Sequence, residues 1–408
     1  MSNSFNINPW DSGIGSFADS LNFEYGSSDF LSSDFEESQK LFDRDPEGYL
    51  SKSLNSHNVQ TFHCGRFFLG NNGNLFTKSL SIAPDNKNTW EHTDKTFFCL
   101  NKKSILKLAK IPDRGGKFES ILQRASCEEL KCLWSLISED FYSLSTHKYG
   151  CRFIQTLLKS DKYFPTEHLE KLDQEKIFEL ILCPHGNHVM QLIISYLDLM
   201  DLLFIYDILL ARPDLLFKAS RNQCGSRVIE LAVKKVLRFC QGKSCHNELV
   251  KLRAIELSKK FLDLFKPYSK QLMCDNYGNF IVSYFVSNIS PELQEEQRFY
   301  YNMVIANIIE LSFDTYGSRI VEKVLTSDNS VIALCAYTTF VNNAAKDRNL
   351  VVRFMEHGIG NYVLQKVLQV GNVFFYGNIN FKIVDIMREE AHVLDKFSKS
   401  TNLLKWIC

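Results

Sequence analysis

Six short segments of the chain present the same three kinds of side chain at the same spacing. We number the residue that follows a glycine in each segment as the first position, and it is small or an amide. The second position holds Arg, His, Phe or Tyr, and the fifth holds Gln or Glu in five of the six segments. The triplets are Cys151/Arg152/Gln155, Asn187/His188/Gln191, Ser226/Arg227/Glu230, Asn279/Phe280/Ser283, Ser318/Arg319/Glu322 and Asn361/Tyr362/Gln365.

These residue types suit the recognition of a flat, polar molecule such as a nucleic-acid base. Amide, hydroxyl and carboxylate groups can hydrogen-bond to the edge of a base, whereas guanidinium, imidazole and aromatic groups can stack on its face. The first and fifth positions are i and i+4, so on a helix they share one face, with the second position beside them. Each segment therefore predicts one base-sized site with two edge-contacting groups and one stacking group.

The elements that must position the triplets are helices that recur along the chain. Each segment runs from an apolar stretch through a few polar residues to the glycine and into a second apolar stretch, as in LSFDTYGSRIVEKVL. The first positions are separated by 36, 39, 53, 39 and 43 residues, which indicates a helical solenoid. The 53-residue step contains a polar insertion near QGKSCHNE. The glycine predicts a sharp turn at the start of each triplet-bearing helix.

Both ends of the array predict atypical repeats. Upstream, the stretch RGGKFESIL places Gly116, Lys117 and Ser120 in the same phase, but without base-contacting side chains. At the C-terminus, KFSKSTNLLKWIC follows the pattern without its glycine, as expected of a capping repeat. Stacked repeats need such ends because a terminal repeat has a neighbour on one side alone.

The first 60 residues differ from the rest in composition and charge. They carry ten acidic and three basic residues, a net charge of −7, so the other 348 residues carry +7 because the whole chain is neutral. Their richness in Ser, Asn, Asp and Gly predicts a disordered tail over 1–60. We predict a repeat domain over 61–408, with clear repeats from about residue 101 and an ambiguous stretch over 61–100. A basic body is compatible with RNA binding.

Composition argues against several other classes of protein. The chain has no apolar run of about 18 residues, so we predict no membrane span. Its 12 cysteines are scattered through apolar stretches, which favours reduced thiols in the cytoplasm or nucleus. The sequence has no phosphate-binding loop, dinucleotide fingerprint or zinc-protease motif, so we predict neither enzyme activity nor a cofactor.

Single motifs have other interpretations when taken alone. One SRVIE segment on a helix is typical of a surface ion pair, and the repetition of the triplet argues against that interpretation. Cys183, His185 and His188 have a spacing that resembles a metal site, but His188 fits the stacking position better, so we predict no metal. Cys151 is not accompanied by a His and acid pair, which argues against a nucleophile.

The triplets resemble those of the PUF (Pumilio) family of RNA-binding proteins, over about residues 101–408. The resemblance implies an all-α fold: a curved α-solenoid of about eight three-helix repeats with terminal caps, in which the second helices line the RNA-binding surface. The six clear repeats are then the third to the eighth. The 53-residue step and the C-terminal cap are similar to those of nematode germline members.

The resemblance also implies a base for each repeat, with the eighth repeat at the 5′ end. In this family Asn with Gln contacts uracil, Ser with Glu contacts guanine, and Cys with Gln accepts adenine. The implied element is 5′-UGUGUA, which contains the UGUR start that the family favours. Ser283 replaces the usual Gln and is short, so the third base should be selected less strictly. The second repeat lacks base-contacting side chains, so the 3′ end should be held less specifically.

A cytoplasmic, monomeric regulator of messenger RNA is the function that this resemblance implies. It would bind single-stranded, UGU-containing elements in 3′ untranslated regions and lower translation or mRNA stability, together with a co-repressor or a deadenylase complex. The stretch 327–348 is a candidate partner surface. Two alternatives stay open: a protein-binding scaffold of the armadillo/HEAT type, and a divergent PUF-like ribosome-biogenesis factor with little sequence preference.

Overall fold

A computed structural model describes residues 97, 98, 100–112, 117–160, 164–241, 247–287, 290–374, 381–392, 403 and 406. The chain divides between Ser81 and Ile82 into two units, and all of these residues belong to the second unit. The predicted tail over 1–60, most of the stretch 61–100, Gly116, the side chain of Lys117 and most of the predicted C-terminal cap lie outside the described residues.

The described residues form helices in successive sets of three. The second repeat comprises α1 (Lys102–Ala109), α2 (Lys117–Gln123) and α3 (Cys127–Ile137). The third and fourth comprise α4 (Phe141–Ser145), α5 (Gly150–Ser160), α6 (Glu167–Glu170), α7 (Gln174–Leu182), α8 (Gly186–Tyr196) and α9 (Leu203–Ala211). The fifth and sixth comprise α10 (Pro213–Ser220), α11 (Gly225–Gln241), α12 (Glu248–Phe265), α13 (Ser269–Met273), α14 (Asn279–Ser287) and α15 (Gln294–Ala306). The seventh and eighth comprise α16 (Ile308–Phe313), α17 (Gly317–Leu325), α18 (Ser330–Ala344), α19 (Arg348–Glu356), α20 (Gly360–Phe374) and α21 (Phe381–Glu389).

The second helices of consecutive repeats pack side by side in chain order. Helix α2 contacts α5, α5 contacts α8, and the succession continues through α11, α14 and α17 to α20. Their apolar faces are buried between neighbours, as Val228, Ile229 and Ala232 of α11 illustrate. The third helices α9, α12, α15 and α18 also contact one another in succession. This stacking confirms the predicted all-α solenoid of repeats.

Five of the six triplet-bearing second helices begin with a common hydrogen-bonded turn. In the fifth repeat, Asn222 Oδ1 accepts from the N–H groups of Cys224 and Gly225 at 2.8 and 3.0 Å. The equivalent acceptors, each three residues before the glycine, are His147 Nδ1, Asp275 Oδ1, Asp314 Oδ1 and His357 Nδ1. These bonds satisfy N–H groups that have no partner inside the first turn of a helix. The polar residues before each glycine therefore fix where the second helix starts.

Each of these glycines lies where the first helix of a repeat approaches the second. A Cβ atom on Gly150 would lie 2.6 Å from the carbonyl oxygen of Leu144, and one on Gly225 would lie 2.7 Å from that of Ala219. Both neighbours are backbone atoms, which cannot rotate away. No glycine that precedes a triplet has a left-handed φ. The sequence predicted that a sharp turn requires these glycines. The structure shows instead that the close approach of two helices requires them.

The fourth repeat shows the bend between a first and a second helix. Helices α7 and α8 meet at 105°, and the Cys183 Sγ between them accepts from the N–H of His185 at 3.5 Å. The two helices together have the length and composition of a membrane span but are broken by this bend. Among the described residues, no single helix is long and apolar enough to cross a membrane.

A half-buried lysine links the fifth repeat to the fourth. Lys235 on α11 donates to the carbonyl oxygen of Ile194 at 2.7 Å and also to that of Leu197, at the C-terminal end of α8. Burial lowers the pKa of Lys235 to about 8, although Asp198 and Asp201 act in the opposite direction. A cation is favourable at the C-terminal carbonyls of a helix. Lys235 therefore helps to set the register between two neighbouring second helices.

A buried histidine of the third repeat lies in an aromatic cluster that includes Trp134 of the second repeat. The His168 ring is 5.6 Å from the Trp134 ring and 6.1 Å from the rings of Phe141 and Phe164. Burial lowers the pKa of His168 below its ordinary value of 6.5, and the charge of Lys171 adds to this effect. Below pH 6.5 the unfolded chain therefore binds a proton that the folded chain does not.

We expect the stability of the protein to fall as the pH decreases below 6.5. The His168→Phe variant keeps the ring packing without the titrating group, so it should lose less stability between pH 7.5 and pH 5.5 than the wild type. Thermal unfolding at the two pH values measures the difference. Because burial also lowers the pKa of His185 and His188, part of the dependence should remain. Equal losses of Tm in the two proteins would contradict a role for His168.

Candidate nucleic-acid interface

The six triplets lie at the N-terminal ends of adjacent second helices. Their first positions are almost completely buried, with 1–4% of each residue exposed, and they comprise Cys151, Asn187, Ser226, Asn279, Ser318 and Asn361. Four of the second positions are exposed, namely Arg152, Arg227, Arg319 and Tyr362, and two are half-buried, namely His188 and Phe280. The row of sites predicted from the spacing therefore has buried edge-contacting groups with flat groups standing outside them.

In the fourth and eighth repeats the first and fifth positions form a hydrogen-bond relay. Asn187 Nδ2 donates to the carbonyl oxygen of Cys183 at 2.8 Å, and Gln191 Nε2 donates to Asn187 Oδ1 at 2.9 Å. In the eighth repeat Asn361 and Gln365 form the same pair of bonds, of 2.8 and 3.1 Å. Each amide nitrogen keeps a second hydrogen, and the Gln oxygen stays an acceptor. The pair thus offers donor, acceptor and donor, which complements the O2, N3–H and O4 edge of uracil.

The fifth and seventh repeats share the triplet Ser, Arg and Glu but differ in its surroundings. A carboxylate accepts hydrogen bonds and donates none, so it matches the N1–H and N2–H donors of guanine. Glu230 is held by Lys234 Nζ at 2.8 Å and lies 3.6 Å from the Arg227 guanidinium. Among the residues that the structure describes, Glu322 has no ion pair. The two carboxylates therefore differ in what they can still accept.

The third repeat combines a thiol with an unused amide donor. The Cys151 thiol donates to the carbonyl oxygen of Lys148 at 3.4 Å, and burial raises its pKa to about 11. The thiol therefore stays protonated at neutral pH, as a structural cysteine does. Gln155 is 6% exposed, and its Nε2 has no hydrogen-bond partner within the described part of the chain. A buried amide donor without a partner gains most when a ligand supplies an acceptor.

The sixth repeat has a shorter edge-contacting group, as its sequence predicts. Asn279 Nδ2 donates to the carbonyl oxygens of Asp275 and Asn276 at 2.8 and 2.9 Å. Its partner position holds Ser283, which is 8% exposed and cannot extend the relay as a Gln does. The Arg227 guanidinium of the preceding repeat lies 5.3 Å from the centre of the Phe280 ring. The flat groups of these two neighbouring repeats therefore face the same side of the helix row.

Two features of the site were not foreseen from the sequence. The first is the set of acceptors three residues before the glycines, which hydrogen-bond to the N-terminal turns of the triplet-bearing helices. The second is the contact of Lys234 with the triplet residue Glu230. The i+4 spacing of Glu230 and Lys234 on one helix was the available signal for the second feature. Within the cluster Cys183, His185 and His188, the Cys183 Sγ accepts a hydrogen bond from the backbone N–H of His185 at the start of α8. No group of three His, Cys, Asp or Glu residues within the described ranges could hold a metal ion.

The fold and the site define a class: a helical-repeat protein whose second helices align one polar triplet per repeat. A family model described as the Pumilio-family RNA binding repeat matches residues 140–160, 176–210, 307–330 and 351–373. These ranges contain the triplets of the third, fourth, seventh and eighth repeats. Over these ranges the chain resembles the PUF family, as its sequence predicts.

Similar proteins include a nematode member of the family. Fem-3 mRNA-binding factor 2 of Caenorhabditis elegans is 22% identical over 251 residues, which is 60% of this chain and 38% of that protein. Suppressor protein MPT5 of Saccharomyces cerevisiae is 23% identical over 241 residues, which is 58% of this chain and 25% of that protein. The chain thus spans well under half the length of each relative.

A solved structure confirms the fold. PUF-6 in complex with 5BE13 RNA has a TM-score of 0.64 and 14% identity, and the match covers 77% of this chain and 88% of that chain. At this identity the likeness concerns the arrangement of helices alone. The predicted resemblance to the family, including a nematode member, is confirmed.

Proposed function

We propose that this chain binds single-stranded RNA in a sequence-specific way, with one base at each of the third to eighth repeats. The proposed element is 5′-UGUGUA, with its 5′ base at the eighth repeat. The observation that supports it best is that six second helices contact one another in succession, each with its triplet in its first two turns. A single strand that follows such a row meets one set of edge-contacting and stacking groups per repeat.

Each triplet supports its base through hydrogen-bond complementarity. The relays Asn187–Gln191 and Asn361–Gln365 offer donors and an acceptor to uracil. The Glu322 carboxylate suits guanine, and Gln155, whose Nε2 has no hydrogen-bond partner among the described residues, is proposed to contact adenine in the third repeat. Because Ser283 lacks the reach of Gln, we expect the weakest base selection at the third base of the element.

We further propose that the protein acts in the cytoplasm on 3′ untranslated regions of messenger RNA. It would lower translation or mRNA stability by bringing a co-repressor or a deadenylase complex to the transcript, and it would bind as a monomer. Two similar proteins support the part of this proposal that concerns messenger RNA and 3′ untranslated regions. One is named for binding an mRNA, and the other is the Puf4 RNA binding domain, solved with an HO endonuclease RNA 3′ UTR recognition sequence.

Binding of the full chain to short RNAs at one salt concentration tests the proposal. We expect an RNA that contains 5′-UGUGUA to bind about 100-fold or more tightly than the same RNA with 5′-ACAGUA, since three base contacts are lost at about 1–3 kcal/mol each. Fluorescence anisotropy measures both affinities. The ratio is compared at fixed ionic strength because phosphate contacts contribute equally to the two RNAs.

The alternatives predict different outcomes of the same titration. A protein-binding scaffold of the armadillo/HEAT type would bind neither RNA above the non-specific background. A ribosome-biogenesis factor with little sequence preference would bind the two RNAs with similar affinity. Either outcome would refute the proposed sequence-specific function.

A further inference from the structure

The fifth and seventh repeats have the same triplet, so a code based on triplets assigns them the same base. They differ at the residue four positions after the Glu, which we call the ninth position. It is Lys234 in the fifth repeat and Thr326 in the seventh. The contacts of these two residues differ in a way that changes the chemistry of the neighbouring carboxylate.

In the fifth repeat the carboxylate is already engaged. Lys234 Nζ lies 2.8 Å from Glu230 Oε1, and Arg227 Nη1 lies 3.6 Å from Glu230 Oε2. The side chains of Lys234 and Glu230 are 25% and 14% exposed, so this ion pair is partly shielded from water. The Lys234 ammonium also lies 5.6 Å from the centre of the Tyr284 ring in the next repeat. Each oxygen of Glu230 therefore faces a cation.

In the seventh repeat the residue at the ninth position hydrogen-bonds to the backbone of Glu322 and not to its carboxylate. Thr326 Oγ1 donates to the backbone carbonyl oxygen of Glu322 at 2.9 Å. Ser195 and Ser287 occupy the ninth position of the fourth and sixth repeats, and each donates to the backbone carbonyl of its own fifth position at 2.8 Å. Lys234 therefore departs from a backbone contact that three other repeats share.

We propose that Lys234 is a specificity-determining residue that lets the fifth repeat accept adenine as well as guanine. The inference rests on the proposed function. A free carboxylate such as Glu322 accepts from both N1–H and N2–H of guanine, and it repels the N1 acceptor of adenine. The Glu230–Lys234 pair instead offers one acceptor and one donor. Adenine can then donate from its amino group to Glu230 and accept at N1 from Lys234.

The Lys234→Thr variant tests the inference, because Thr is the residue at the ninth position of the seventh repeat. We measure Kd for 5′-UGUGUA and 5′-UGUAUA at one salt concentration. The preference for guanine over adenine at the fourth base should rise about fivefold or more, mainly through weaker binding of the adenine RNA. Loss of one positive charge weakens binding to both RNAs, and the ratio of the two Kd values removes that effect.

Two matched variants complete the experiment. The reciprocal Thr326→Lys should lower the preference for guanine over adenine at the second base, measured with 5′-UGUGUA and 5′-UAUGUA. Lys159 is exposed at the ninth position of the third repeat, where the fifth position is the uncharged Gln155. Lys159→Thr therefore removes the same charge and should weaken all RNAs alike, with unchanged ratios. Lys234→Met retains a long side chain without a donor and should reproduce the result of Lys234→Thr.

The outcomes separate this inference from the proposed function. If the wild type prefers UGU over ACA but Lys234→Thr and Lys234→Met leave the preference at the fourth base unchanged, the role of Lys234 is wrong and the proposed function stands. The role of Lys234 is also wrong, and the proposed function still stands, if the wild type selects guanine as strictly at the fourth base as at the second. If the wild type does not distinguish UGU from ACA, the proposed function and the role of Lys234 both fail.

Discussion

Replacing Ser318 with Asn and Glu322 with Gln should change the preferred second base of the RNA from guanine to uracil. The fourth and eighth repeats show the relay that these two changes introduce, in which the Asn amide donates to the carbonyl oxygen four residues back and the Gln amide donates to the Asn. In the seventh repeat the receiving carbonyl belongs to Asp314, which already accepts from the N–H of residue 318. The same geometry is therefore available.

The expected effect is large because the double change removes the hydrogen bonds to guanine and creates hydrogen bonds to uracil. At about 1–3 kcal/mol for each, the ratio of the affinities for 5′-UGUGUA and 5′-UUUGUA should reverse by about 100-fold. Titration of both RNAs with the wild type and the double variant measures the reversal. Selection at the fifth base, which the proposal assigns to the distant fourth repeat, serves as the control and should not change. A variant with unchanged Tm that keeps its preference for guanine would refute the assignment of this triplet to the second base.

Replacing Gly150 with Ala should destabilise the protein markedly. The added Cβ would lie 2.6 Å from the carbonyl oxygen of Leu144, and the next nearest atoms, at 3.1 and 3.2 Å, belong to the same backbone. Relief of the overlap requires α4 and α5 to move apart, at a cost of about 1–3 kcal/mol. We expect a lower Tm and, because α5 carries Gln155, weaker selection of the sixth base.

Gly358 provides the matched control for this prediction. It lies two residues before Gly360 in the turn that starts α20, and a Cβ there would have no atom within 4 Å. Gly358→Ala should therefore leave the Tm nearly unchanged or raise it slightly, since Ala lowers the entropy of the unfolded chain. Equal Tm values for the two Ala variants would show that the close approach at Gly150 is not what selects glycine there.

Much of the fold could be predicted because its signal is local and repeated. Five second helices begin at the glycine of their segment, and α14 begins one residue later, at Asn279. The apolar residues after each glycine have to be buried, so repeats of this length have to stack. The family model matches four of the six triplet-bearing repeats. The packing of α11 and α14 within the same row shows that the fifth and sixth repeats continue the array.

The chemistry within each site was harder to predict because it depends on contacts beyond the triplet. Residue types alone assign the same role to Glu230 and Glu322. The difference arises from Lys234, whose long side chain reaches back along its own helix while Tyr284 of the next repeat lies beside it. Similarly, the spacing placed Asn187 and Gln191 on one face but did not indicate that they bond to each other and to a helix-start carbonyl.

The burial of the first positions has a consequence for how such proteins diverge. The side chains of Asn187 and Asn361 donate hydrogen bonds to carbonyl oxygens at the starts of their helices. The same side chains are proposed to contact the RNA. A mutation at either position would therefore alter target choice and cellular abundance together, since a loss of about 1–2 kcal/mol can change the amount of folded protein several-fold. Residues outside the buried positions, such as the one at the ninth position, contribute less to folding. New target preferences should therefore arise more readily by mutation of those residues.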